Sequence, residues 1–330
     1  MLNKLLIYTV IVTLSLVLVF LASLIYGSVF IPPKYLFHYA YPYSFIVYTI
    51  RIPTSIATLF IGADLAVSGL ILQKLLKNPL MDPYISGTSA GAAFGAVLSY
   101  VFLLFGVPLS SIFYIAPFTA FLFSLIATLT TVVIGKSGDV YRIIIAGIAV
   151  SYLFSSLIMF ELSILEEKIL QVPSVYFWIF GYINYINYSE MLLITITSSI
   201  FLFLAIKYAR IIDLVALSDE ISYAHGINPS KFRLLWIITI SLITSLIISF
   251  TGIIGFVGMM TPHIVRGFLG GRSSFDEIPY VATIGGAILL ISKIISKGAL
   301  GFTVPVTAVT AIFAFPIIIY VLVRRVDIAQ

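Results

Sequence analysis

The sequence predicts an all-α, polytopic membrane protein of about ten transmembrane helices with both termini cytoplasmic. Three observations carry that prediction. Of 330 residues, 61% are hydrophobic and 9% charged, against about half and about a quarter in a soluble domain. So little charge cannot cover a globular surface, so most of the surface faces lipid. Apolar runs near the ~20 residues needed for a span recur along the whole chain. The Lys and Arg residues between those runs are distributed asymmetrically.

The first run, Leu5 to Tyr26, follows Lys4. It is longer than a signal-peptide core and lacks a clear small-residue cleavage site, so it is read as the first helix. Further spans are expected near 50–75, 86–105, 111–134, 142–162, 190–209, 233–251, 253–268, 279–296 and 301–323. With the N-terminus inside, only Lys34, Arg51, Lys168, Lys293 and Lys297 of the 18 Lys and Arg fall outside. The positive-inside rule therefore favours an even number of spans. The polar stretches are short loops, so residues 1–330 are read as one transmembrane domain.

Several function classes fall away. There is no cysteine, which removes disulfides, thiolate metal sites and cysteine nucleophiles. His38, His225 and His263 lie far apart in sequence and show no metal-ligand spacing, so no metal site is expected. The net charge of +5 follows membrane topology, and no nucleic-acid partner is expected. Gly135-Lys136-Ser137 resembles the end of a phosphate-binding loop, but Thr130 occupies the position of that loop's first Gly. Asp213, Asp219, Glu220 and His225 share one loop with Lys231 and Arg233. They read as a solvated protein-contact surface, and no catalytic residues are assigned.

Other segments are more than greasy helices. The stretch Gly252 to His263 is broken by Gly252, Gly255, Gly258 and Pro262, and the last span carries Pro305 and Pro316. Interrupted segments survive in a bilayer only where protein or a water-filled path satisfies their backbone, and they point to a transport path. Gly87, Gly91 and Gly95 share one helix face, where small residues permit close packing or a ligand contact. Asp64 falls mid-span, roughly 20 Å along a helix from Arg51. A carboxylate there costs at least ~2.5 kcal/mol to insert. It is either a path-lining or ion-sensing group or a protonated acid bonded to nearby Ser or Thr.

These residues resemble the FecCD-type permeases, the membrane subunits of ATP-binding-cassette (ABC) importers for ferric siderophores, haem and cobalamin. The likeness spans Arg51 to Arg325. One block is Arg51-Ile52-Pro53, Gly62-Ala63, Ser68-Gly69, Gln73, Asn78-Pro79-Leu80, Asp82-Pro83, Gly87 and Gly91-Ala92. Another is Gly255 to Gly258, Pro262-His263, Arg266, Gly270 or Gly271, and Pro279. The third runs from Ala216 and Leu217 through Asp219 and Glu220 to Gly226.

The resemblance implies a homodimeric, ten-helix permease with its path on the twofold axis. Two cytoplasmic ATPase subunits would bind ATP and Mg; this chain would bind no cofactor itself. An extracytoplasmic substrate-binding protein would deliver cargo, and lipid would surround the spans. The ATPase-coupling loop would comprise Asp213, Leu217, Ser218, Asp219, Glu220, Ser222, His225 and Gly226. His263, Arg266 and Arg272 would form a second cytoplasmic contact. Arg51 and Lys297 would dock the binding protein, and Val140 and Tyr141 would mark the inner gate.

The chain also departs from the family pattern. Thr54 replaces a common second arginine, Lys293 an intramembrane aspartate, Thr303 a glutamate, and Thr307 and Ala314 glycines. Asp64 replaces a small apolar residue, which makes Asp64 and Lys293 a candidate relocated charge pair. The expected function is import of ferric siderophore, with haem and cobalamin open. The rivals are a proton-coupled secondary transporter using Asp64, a membrane scaffold and, weakest, a membrane enzyme.

Overall fold

The computed structural model describes residues 2–36, 40–135, 139–168, 179–183, 185–299 and 301–328. His38, Lys136 and Ser137, named above, lie outside the described residues. Among the described residues the regular structure is entirely helical. The principal helices are α1 (Leu2–Ile25), α2 (Ile52–Leu75), α3 (Thr88–Val101), α4 (Leu109–Ile134), α5 (Val140–Lys168) and α6 (Tyr188–Lys207). They continue with α7 (Ala209–Leu217), α8 (Asp219–Ala224), α9 (Pro229–Thr251), α10 (Val257–Leu269), α11 (Ser274–Ile294) and α12 (Val306–Ile328).

Among the described residues, eight helical stretches are long and apolar enough to cross a membrane, and Val306–Val321 is a shorter apolar helix. The expected span at 253–268 takes a different form. Only the 13 residues Val257–Leu269 are helical there, about 20 Å of helix against a hydrocarbon core of about 30 Å. The cause is local. Gly252 at φ 66° and Phe256 at φ 72° break the helix path between α9 and α10.

The chain divides into two compact units, one of Met1–Leu70, Ile183–Arg210 and Gly255–Gln330, the other of Ile71–Tyr182 and Ile211–Ile254. In the first unit α1 packs on α11, and α10 packs on both α11 and α12. Close approach is permitted by absent side chains. A methyl group on Gly62 would run into the carbonyl of Gly285, and one on Gly69 into the carbonyl of Gly258. Without a hydrophobic drive between helices in lipid, such contacts supply the packing energy. The outer face of α1 stays exposed along Val10, Leu14 and Leu18, as a lipid-facing stripe requires. Freed backbone is recovered by hydroxyls. Gly255 N donates to Thr307 Oγ1 (3.3 Å), and Thr310 Oγ1 donates to Gly255 O (2.9 Å). Thr307, a departure from the family glycine, thus has a structural use.

In the second unit α4 is central, packing against α3, α5 and α9. Gly91 and Gly95 of α3 face the carbonyls of Phe123 and Thr119 on α4. Gly87 stands at the N-cap of α3 with φ 79°, a conformation costly for residues with a Cβ. The expected small-residue face is therefore used in packing. Hydroxyls cross-link the same helices. Ser86 Oγ is 3.0 Å from Ser241 Oγ and 2.5 Å from Thr88 Oγ1, Thr88 Oγ1 is 3.2 Å from Thr128 Oγ1, and Ser124 Oγ is 2.7 Å from Ser245 Oγ. Interhelical bonds of this kind contribute about 0.6 kcal/mol each in membranes. Tyr84 OH donates to Ile254 O (3.0 Å) and accepts from Ile254 N (3.3 Å). One partly buried tyrosine thereby satisfies both polar groups of a broken backbone. That burial, together with the charge of Asp82, pushes the Tyr84 hydroxyl well above its ordinary pKa, so it stays a neutral donor.

Two outcomes follow for stability in detergent. Gly69→Ala should cost about 1–3 kcal/mol through overpacking and lower the melting temperature. Gly267→Ala, where an added methyl meets nothing within 4 Å, should not. Tyr84→Phe should cost about 1–3 kcal/mol by leaving Ile254 unpaired. Thermal unfolding of the purified variants measures both.

Candidate functional site

The expected coupling loop forms the short helical pair α7–α8. Its sequence explains its form. Ser218 breaks the run in extended conformation and caps α8, accepting from Ile221 N at 3.3 Å. Asp219 and Glu220 occupy the first turn of α8, where acids suit the helix dipole. Ser218 Oγ also donates to the Glu220 carboxylate, which holds that carboxyl below its usual range. At the other end His225 Nδ1 is 2.8 Å from Ile221 O, and Gly226 turns the chain at φ 75°. An added methyl on Gly226 would meet nothing, so its requirement is backbone conformation alone. Asn228 then starts α9 by accepting from Lys231 N at 3.0 Å.

Charge anchors the pair. Asp219 receives two hydrogen bonds from the Arg233 guanidinium, one of them 2.9 Å long. Lys77 lies 3.9 Å from the same carboxylate. Arg233 also donates from Nε to Leu75 O (3.1 Å), capping an end carbonyl of α2. Lys74 reaches Asp213 at 3.0 Å. Arg233 is buried while Asp219 is partly exposed, and the hydrogen bond from Arg233 holds the Asp219 carboxyl below its ordinary range. Ser222 is buried and donates to Ser218 O at 2.8 Å. Leu217 is 71% exposed, with Ile221 and Tyr223 also exposed. A rigid base thus presents a small apolar and acidic knob. Lys74 and Lys77 were not among the expected site residues, and Arg233 was named only as a neighbour of the loop; Lys74 lies 139 residues from Asp213, so no local signal joins them.

The second expected contact lies in the other unit. His263 and Arg266 fall on α10, and Arg266 Nε donates to Pro262 O at 3.1 Å. Arg272 follows two glycines with positive φ, Gly270 and Gly271, and its backbone N–H donates to Glu277 Oε1 at 3.0 Å. Val140 and Tyr141 open α5, with Tyr141 77% exposed. The exposed face continues through Ile145 and Tyr152. A groove beside it, of about 380 Å³, is lined by Tyr84, Ile85, Ile148, Ser151, Tyr152 and Ser155.

Arg51 and Lys297 come together, but not as freely projecting side chains. Arg51 is 7% exposed and its guanidinium donates to Leu24 O (2.7 Å) and to Val29 O. Both line a pocket of about 120 Å³ with Lys293, Ser23 and Thr54. Lys293 is likewise 7% exposed and donates to Ser55 Oγ at 2.8 Å. Asp64 is 1% exposed and accepts from Ser198 Oγ at 2.5 Å, its other oxygen having no protein partner. The expected Asp64–Lys293 pair is therefore not formed. Each group takes a hydroxyl of its own, because nine residues separate Ser55 from Asp64, about 13 Å along α2.

Comparison with known proteins shows the family. The FecCD transport family model matches residues 15–324. The Fe(3+)-citrate import system permease protein YfmD of Bacillus subtilis is 31% identical over 83% of this chain and 80% of its own length. The cobalamin import system permease protein BtuC of Halobacterium salinarum is 29% identical over 85% of this chain and 74% of its own length. A solved metal-chelate type ABC transporter in an inward-facing conformation superposes with TM-score 0.81 at 26% identity, covering 95% of this chain and 97% of that one. The chain belongs to the FecCD transport family and is a multi-pass ABC permease of the cytoplasmic membrane.

Proposed function

We propose that this permease imports a chelated metal or corrin cargo, ferric siderophore first among them, by alternating access driven by separate ATPase subunits. The family is one of non-catalytic membrane subunits whose ATPase activity lies in a separate subunit. The observation that carries the reading is the α7–α8 knob, which has a buried ionic base and an exposed Leu217, Ile221 and Tyr223 tip. A knob of this build fits a cleft in a partner and transmits force, since Arg233 and Lys74 tie it to α9 and α2. ATP and Mg belong to the partner, and this chain supplies path, gate and docking surfaces.

In this reading Val140 and Tyr141 form the inner gate, and the exposed α5 face meets a second copy across the twofold path. His263, Arg266 and Arg272 form a second contact with the ATPase. Arg51 and Lys297 meet acidic groups of an extracytoplasmic binding protein. Charges in that arrangement steer encounter and set register more than they add affinity. Ferric citrate and cobalamin are the cargoes of the two relatives' systems, and both are anionic or bulky polar ligands too large for a narrow pore. That favours a wide path over a tight permease site.

Purification of the tagged protein from its native membrane should bring down a stoichiometric ATPase subunit. Replacing Glu220 and Gly226 together should release it while the permease stays folded; retention of the ATPase would remove α7–α8 from the coupling role. Arg233→Ala should lower local stability of α8 by about 1–3 kcal/mol, read as faster amide exchange over Asp219–Ala224. The same protection has a defined pH dependence. Asp219 has a depressed folded pKa, so its contribution is present above the ordinary carboxylate value and lost as pH falls through the lowered one. Protection, corrected for intrinsic exchange, should be flat from about pH 5 to 8 and decline only below about pH 4.

A further inference from the structure

Asp64 stands midway along α2 in the first unit, and its Oδ2 accepts from Ser198 Oγ of α6 at 2.5 Å. Its Oδ1 is buried with no hydrogen-bond partner. Two more buried oxygens share that condition: Ser68 Oγ, one turn on along α2, and Thr195 Oγ1, one turn back along α6. Side chains three and four apart on a helix stand about 5–6 Å apart at Cβ, so both hydroxyls fall within side-chain reach of the Asp64–Ser198 bond. Other hydroxyls of this unit are used differently. Thr58, Thr197, Thr261 and Ser292 each donate to the carbonyl one turn before, a common arrangement inside a helix. Ser68 and Thr195 make no such bond.

The cluster carries one carboxyl group and no cation. Among the described residues Asp64 is bonded to Ser198, a neutral hydroxyl, and to no Lys, Arg or His. Lys293 of α11 donates instead to Ser55 Oγ, about 13 Å before Asp64 along α2. Arg51 donates to Leu24 O and Val29 O. On α6 there is no charged residue between Glu190 and Lys207, which are about 12–14 Å along the helix from Ser198. A buried carboxylate without a counter-charge is strongly destabilising, and ionisable groups inside a bilayer pair or face a polar cavity. A proton on Asp64 cancels the charge but offers a partner to only one of the two hydroxyls. A monovalent cation cancels it and takes oxygen ligands from all of them, and carboxylate and neutral oxygens are the donors that hard cations select. A divalent ion would exchange one uncompensated charge for another.

We propose that Asp64, Ser68, Thr195 and Ser198 hold a resident monovalent cation of sodium size between α2 and α6. Asp64 supplies the charge and the hydroxyls supply neutral oxygens. The ion ties two spans of one unit together at mid-membrane depth, where neither helix has another charged group to offer. It is a structural ion and is not carried across the membrane, so the site is independent of the cargo and of the ATPase.

The test is thermal unfolding of the purified full-length permease, without ATPase or binding protein, in sodium chloride exchanged for choline chloride at constant ionic strength. Sodium should raise the melting temperature saturably by about 2–4 °C relative to the bulky choline. Asp64→Asn should abolish the response. Ser68→Ala should move its midpoint to higher sodium, and it carries the test alone where Asp64→Asn fails to fold. Ser199→Ala, which removes an exposed α6 hydroxyl bonded to Thr195 O, should leave the response intact. Equal melting temperatures in sodium and choline would overturn the proposal and leave Asp64 a protonated acid. A sodium response undiminished in Asp64→Asn or in Ser68→Ala would overturn it by placing the ion elsewhere.

Discussion

A bilayer offers no water to a freed peptide group, and the rest of this structure depends on that constraint. Wherever the chain leaves the helical path inside an apolar region, it must find donors and acceptors internally. The stretch between α9 and α10 does so with three side chains of modest size. Tyr84 takes both polar groups of Ile254, and Thr307 and Thr310 take those of Gly255. The break is therefore a built feature, held open by hydroxyls. It lets α10 be a short helix of its own, and α10 carries His263 and Arg266. The same logic governs the charged groups. Arg233 caps Leu75 O and Arg51 caps Leu24 O, so cations finish helices whose last carbonyls would otherwise be unpaired.

Much of this was legible in the sequence, and the reasons differ by element. Fold class follows from composition, because 9% charge cannot clothe a soluble surface. The α7–α8 segment is visible as a polar loop between apolar runs, and Ser218 with Gly226 marks where its second helix begins and ends. The close-packing glycines are visible from their spacing, although spacing does not name their partners. Gly69 meets Gly258 and Gly91 meets Phe123 only because of the tertiary arrangement.

What was illegible is chiefly pairing at long range. Lys74 and Asp213 are 139 residues apart, and nothing local announces their contact. The break in the segment after α9 was legible from its Gly and Pro residues, but not how few residues stay helical. Residues 253–268 read as a span by hydropathy, yet the backbone at Gly252 and Phe256 leaves only 13 helical residues. Asp64 and Lys293 suggested a pair by opposite sign, but hydroxyls on Ser198 and Ser55 were nearer in the fold. The sequence also does not show that Arg51 folds back to donate to Leu24 O near the end of α1 and to Val29 O beyond it.

Function rests on the same architecture. In the proposed function the α7–α8 pair, tied by ion pairs to α2 and α9, is the part that passes the ATPase's movement to the spans. Asp64, the residue on which a proton-driven rival would rely, is buried and bonded to Ser198. The most direct measurement is uptake into proteoliposomes holding the permease, its ATPase and its binding protein, with ferric siderophore supplied outside. The account predicts accumulation that requires ATP, survives collapse of the proton gradient and is lost when the ATPase is omitted. Accumulation by the permease alone, driven by a proton gradient and abolished by Asp64→Asn, would contradict it.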